Sequence, residues 1–79
     1  MARYFFHLRD GEDLLLDPEG RDLQSLESIA AVALYEARAI IGDEARSGRI
    51  QFDKRIDVED EFGTVVHRLP FADAVKLVY

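Results

Sequence analysis

Residues 2–20 read ARYFFHLRDGEDLLLDPEG, and the parity of the first half of this stretch decides the fold. Over residues 3–9, Tyr4, Phe6 and Leu8 fall on one side of an extended chain, and Phe5, His7 and Arg9 fall on the other. Aromatic residues at period two predict a strand, because successive side chains of an extended backbone point to opposite faces. Asp10-Gly11 follows, the strongest hairpin pair in the chain, and Leu14-Leu15-Leu16 supplies a short return strand. The turn formers Asp17-Pro18-Glu19-Gly20 end it. Tyr4, Phe6 and Leu8 are the more apolar set and are expected against the core. Phe5, His7 and Arg9 are then left on the face away from it.

From Ser25 the period changes. Leu26, Ile29, Ala30, Ala33, Ala37, Ile40 and Ile41 recur at spacings of three and four and form one apolar stripe. The pattern predicts a helix over residues 26–47, with Ser25 as N-cap, Glu27 in the first turn, Arg46 in the last and Gly48 at the C′ position. Gly42 costs this helix about 1 kcal/mol relative to alanine. Glu36, Arg38, Asp43 and Glu44 mark its wet side. Residues 50–59 alternate again, with Ile50, Phe52, Ile56 and Val58 apolar. Lys54 breaks that parity, so a bulge or a strand end is expected near Asp53-Lys54. Asp60-Glu61-Phe62-Gly63 is a turn, and residues 64–69 are a return strand stopped by Pro70, which cannot donate to a ladder. Phe71, Ala74, Val75 and Val78 stand at helical spacing and predict a short terminal helix.

The order strand, strand, helix, strand, strand is that of an α+β, two-layer β-β-α-β-β sandwich. One long helix packs on a four-stranded, mainly antiparallel sheet, in a single domain over residues 1–79. A helical crossover allows either central pairing, so the strand order stays open. One helix covers one face of a sheet; the other is exposed or covered by the C-terminal segment or by a second chain.

At 79 residues there is no room for a second core. A domain of this size buries only about 60% of its unfolded surface, and a single core supplies roughly 3–5 kcal/mol. Cysteine is absent, which removes disulfides and thiolate metal sites and fits a reducing compartment. Sixteen acidic against ten basic residues leave a net charge of −6. That charge repels phosphate backbones and anionic membrane surfaces at long range, which disfavours nucleic acid and membrane as partners. The N-terminal apolar run, Tyr4-Phe5-Phe6, falls short of the about 7–15 residues of a signal peptide, and no stretch approaches the about 20 of a membrane span. The expectation is a soluble, cytoplasmic protein.

Phe5, His7 and Arg9 are the candidate binding residues. An aromatic, an imidazole and a guanidinium in one row resemble a stacking platform for bases, but the negative charge and the missing glycine-rich aromatic consensus favour a protein contact. His7 and His67 are the two histidines, and with a carboxylate they would suit zinc only if the first and last strands were neighbours. A hydrogen-bonded structural histidine is the stronger reading. The acids of the hairpins do not fit a calcium loop: the sixth residue from Asp10 is Leu15, and from Asp17 it is Asp22, where glycine is required. Ser25, Ser28, Ser47 and Thr64 sit at a cap, on the helix or at a strand start, outside any nucleophile elbow, and the glycines are scattered singly. The chain is therefore expected to be no enzyme and to use no cofactor and no metal.

The opening Arg3-Tyr4-Phe5-Phe6-His7-Leu8-Arg9-Asp10-Gly11, the Asp17-x-Glu19-Gly20 turn, the Leu26-Glu27-x-x-Ala30 helix start and the late Leu69-Pro70-Phe71-x-Asp73-Ala74 form a set. Together they resemble, over nearly the whole chain, a family of short uncharacterised bacterial proteins classed as a domain of unknown function. The resemblance implies a stand-alone, cytoplasmic, single-domain protein and makes Phe6, His7, Asp10, Gly11 and Gly20 characteristic positions. It carries no activity, ligand or catalytic residue. The expected role is a non-catalytic protein-interaction or regulatory module that forms a homodimer or binds another protein. The alternative is a small-ligand or nucleic-acid binder that uses Phe5, His7 and Arg9 on the uncovered face.

Overall fold

The computed structural model describes residues 2–79. Their order is β1 (Ala2–Asp10), β2 (Asp13–Leu15), β3 (Arg21–Leu23), α1 (Leu26–Arg46), β4 (Lys54–Glu59), β5 (Val65–Pro70) and a 3-10 turn (Phe71–Asp73). One long helix on an antiparallel sheet is the expected α+β architecture. The sheet has five strands rather than four, because the return limb of the first hairpin is split. Its order is β2-β1-β4-β5, and β3 pairs with β1 beside β2.

The split has a local cause. Leu8 pairs with Leu15 and Tyr4 with Arg21, so a four-residue advance along β1 faces six residues of the return limb. The excess bows out at Asp17-Pro18-Glu19-Gly20, and the chain then rejoins β1 through Arg21–Leu23. Three residues, two of them charged, are too few to show a period, which is why the sequence pattern hides β3. The first hairpin turns at Gly11-Glu12, between the paired Asp10 and Asp13, one residue later than the Asp-Gly signal. Gly11 takes φ +62° and, among the described residues, no non-glycine residue has a positive φ, the pattern of a type II′ turn with glycine first.

The helix is bounded as its caps require. Ser25 Oγ accepts from the Ser28 N–H at 3.1 Å. At the other end Gly48 N–H donates to Ala45 O and Arg49 N–H to Glu44 O, a Schellman motif with Gly48 at φ +87°. Ile29, Ala33, Ala37 and Ile41 bury against Ile56, Val58, Phe71 and Ala74, and the two central alanines are fully buried. Helix α1 lies over β4 and β5. Phe6 and Leu8 of β1 are consequently only half-buried on the helix side.

Two expectations are corrected. Strand β4 starts at Lys54 rather than at residue 50. Lys54 is drawn inward, paired with Glu44 of α1, and Gln51 N–H is held by the same carboxylate at 3.1 Å rather than by a neighbouring strand. The terminal helix is only the 3-10 turn. Phe71 and Ala74 bury as their spacing suggests, but Arg38 Nε donates to Ala74 O at 2.8 Å and takes the carbonyl that a continuing helix would have used. Leu77, Val78 and Tyr79 are exposed.

Candidate functional site

Residues directly opposite one another in antiparallel strands share a face, so the registers define the side of the sheet that α1 does not cover. Phe5 stands beside Glu59, which stands beside Val65; His7 beside Asp57, beside Arg68; and Arg9 beside Arg55, beside Pro70. Asp57 occupies the centre of this three-by-three grid. Its side chain is 7% exposed, and its carboxylate is met by Arg55 Nε at 2.9 Å, Arg68 Nε at 3.6 Å and Arg9 Nε at 3.7 Å. Three guanidiniums thus converge on one carboxylate, an excess of two positive charges. All three approach through Nε, and among the described residues no acceptor is hydrogen-bonded to their terminal Nη groups. The Arg9 Nε is buried without a hydrogen-bond partner. A buried carboxylate is stabilised only when paired, and here Arg55 is hydrogen-bonded to it while Arg9 and Arg68 stand within ion-pair distance.

The other half of the grid is structural. His7 is buried, and its Nδ1 accepts from the Asp17 N–H at 3.0 Å. That bond assigns the ring proton to Nε2, which faces Glu59 Oε1 at 3.8 Å. Phe5 lies parallel to the His7 ring, with centroids 6.3 Å apart, and the turn at Gly20 packs on its edge. Asp17 completes the arrangement. Its Oδ2 accepts from the Phe6 N–H at 3.1 Å, standing in for the strand carbonyl that the bowed loop withdraws, and its Oδ1 accepts from Glu19 and Gly20 at 3.2 Å. Burial pushes the Asp17 carboxyl up, but the N–H donors of Phe6, Gly20 and Glu19, helped by the His7 ring, hold it below its ordinary 3.8.

Phe5, His7 and Arg9 therefore do share the uncovered face, but they divide in role. His7 is locked by Asp17, Phe5 covers it, and Arg9 belongs with Arg55 and Arg68. The expected row of three exposed side chains is corrected to a half-buried Phe5 and Arg9 around a buried His7, covered by the chain's own first loop. Arg55, Asp57 and Arg68 were missed. Arg55 and Asp57 have the parity opposite to Ile56 and Val58, so the reasoning that placed Phe5, His7 and Arg9 would have found them; Arg68 needed the register. His67 pairs with Val58 on the helix side, and β4 separates its strand from β1, so the two histidines are not brought together. Among the described residues no three His, Asp or Glu side chains gather as a metal site, and no helix is long and apolar enough to cross a membrane.

A second concavity lies on the helix side, where α1 leaves β1 partly uncovered. It encloses about 530 Å³ and is lined by Phe6, Leu8, Leu15, Leu16 and Ile40, with the Arg21–Glu36 ion pair at its rim. The turn Asp17-Pro18-Glu19-Gly20 lines its other side.

The model of one protein family, the domain of unknown function DUF6894, matches residues 3–72. No curated protein and no solved structure matches the chain significantly. The match covers most of the chain, and the protein belongs to the DUF6894 family.

Proposed function

We propose that this DUF6894 protein is a non-catalytic protein-interaction module whose working surface is the uncovered face of its sheet. The observation that carries the reading is the central Asp57 with Arg9, Arg55 and Arg68 around it. Arginines held on a shared carboxylate keep their side-chain entropy cost low and present planar, multidentate donors, the residue type enriched at the centres of protein interfaces. Among the described residues no group of three His, Asp or Glu side chains that could hold a metal ion lies beside them. The overall charge of −6 argues against an extended polyanion as the occupant.

Self-association is a second reading, favoured by the position of β5. It ends the sheet, and its six residues are paired only on the β4 side. An edge of this kind pairs readily with a second copy.

The test of the first reading is a quantitative capture from the native cell with the wild-type chain, an Arg68→Glu variant of the open face and a Leu15→Glu variant of the helix side. Partners lost by Arg68→Glu and kept by Leu15→Glu are expected. Identical recoveries from all three would remove the sheet face as the working surface. The second reading is checked by light scattering at tens of micromolar: a mass of one chain would remove it.

A further inference from the structure

We propose that the forks of Arg9, Arg55 and Arg68 bind a single phosphoryl group carried on a side chain of a partner protein. This rests on the reading of the open sheet face as the working surface and names what that surface takes.

Three features of the cluster select this chemistry. After Asp57 is paired, the trio retains two positive charges, and a phosphate monoester carries about −1.5 to −2 at neutral pH. The monoester presents three terminal oxygens, and the three guanidiniums, gathered on Asp57 through Nε, have no acceptor hydrogen-bonded to their Nη groups among the described residues. A carboxylate offers two oxygens and one charge, so it leaves one arginine and one charge unmatched. Third, the Arg9 Nε is buried and makes no hydrogen bond, its ion-pair contact with Asp57 standing at 3.7 Å, so the protein leaves this guanidinium incompletely satisfied. Asp57 gathers the three guanidiniums through Nε and is itself buried. The source is a protein side chain rather than a nucleic acid, because only a lone phosphoryl group escapes the long-range repulsion of a chain with a net charge of −6.

The proposal is tested on the full chain by following the Nε–H resonances of the three arginines during titration with a phosphoserine peptide, the same peptide unphosphorylated and the same peptide with glutamate in place of phosphoserine. A short single-stranded oligonucleotide serves as the fourth probe. The expected result is movement of all three arginine signals with the phosphoserine peptide, and an affinity at least about tenfold above that of the glutamate peptide. Arg68→Gln, at the most exposed of the three, should weaken the phosphopeptide by about tenfold while the backbone spectrum stays that of the folded protein. Equal binding of the glutamate peptide, tighter binding of the oligonucleotide, or no arginine shift with any probe would overturn the proposal. The capture comparison with Arg68→Glu is independent of phosphorylation, so it decides separately whether the open face is used at all.

Discussion

Asp17 joins the loop, the first strand and the candidate face, and its removal has a calculable cost. The carboxylate accepts three main-chain N–H groups, from Phe6 at 3.1 Å and from Glu19 and Gly20 at 3.2 Å. In Asp17→Ala the Glu19 and Gly20 donors turn to water, since both lie near the surface. The Phe6 donor cannot, because it is half-buried where the split between β2 and β3 deprives β1 of a strand carbonyl. An unsatisfied buried donor costs about 1–3 kcal/mol, so a loss of about 2 kcal/mol is expected. Unfolding entropy scales as about 2.1 cal/mol/K per residue, and for this length 2 kcal/mol corresponds to a fall in Tm of about 12 °C. Asp17→Asn has one acceptor oxygen for two sets of donors and should fall between the variant and the wild type. The sign of the pH dependence follows from the lowered carboxyl. Its contribution is complete above the ordinary value of 3.8 and disappears as the pH drops through the lower folded value, where the acid protonates. Thermal unfolding followed by circular dichroism at about pH 7 and about pH 2.5 reads both effects. A Tm for Asp17→Ala within about 3 °C of wild type at neutral pH, or a difference that persists unchanged in acid, would refute the reasoning.

Three further outcomes are expected. Gly20→Ala should be clearly more damaging than Gly11→Ala: both glycines have positive φ, but a Cβ at Gly20 would stand 2.9 Å from the Tyr4 carbonyl oxygen and 2.8 Å from the Phe5 ring, whereas at Gly11 nothing lies within 4 Å. Equal urea midpoints for the two variants would show that the loop yields. Phe71→Ala should cost about 3–5 kcal/mol and leave the chain largely unfolded at room temperature, because the ring is fully buried and anchors the 3-10 turn; a native-like near-ultraviolet spectrum would contradict this. Lys54→Met should raise the Glu44 carboxyl toward its ordinary 4.5, since the Lys54 ammonium is the main group holding it down, with the Gln51 N–H preserving part of the effect. A carbon-detected titration showing Glu44 unmoved would exclude that pairing.

Much of this architecture was legible because one face of each element is buried. The parity of Tyr4, Phe6 and Leu8 and the stripe Ile29, Ala33, Ala37, Ile41 report which side meets the core, and burial tolerates few exceptions. What escaped was held together by groups that carry no periodic signal. Strand β3 rests on main-chain pairing and on Asp17 replacing a carbonyl. The tail stops because Arg38, distant in sequence, claims Ala74 O. The candidate site was half legible for the same reason: Phe5, His7 and Arg9 announced a second face, but the meeting of Arg9 with Arg68 depends on β4 lying between β1 and β5, and no local pattern encodes a strand order.

The composition of that face separates a plug from a site. A sheet covered by one helix must keep its second side from becoming an adhesive apolar surface, and inward-directed charge is a common solution. Packing alone would be served by one arginine on Asp57, since a matched pair satisfies the carboxylate and leaves no excess. This face instead places three arginines on that carboxylate, in a chain whose acids outnumber its bases by sixteen to ten. Their mutual repulsion lowers stability unless something else neutralises it. The second half of the grid is fixed differently: His7 Nδ1 accepts from the Asp17 N–H at 3.0 Å, and the chain's own first loop holds the ring in place. Beside it the arginine half draws on three strands, Arg9 from β1, Arg55 from β4 and Arg68 from β5, and only Arg55 is hydrogen-bonded to the carboxylate they share, which is why the proposed anion is assigned to this half of the face.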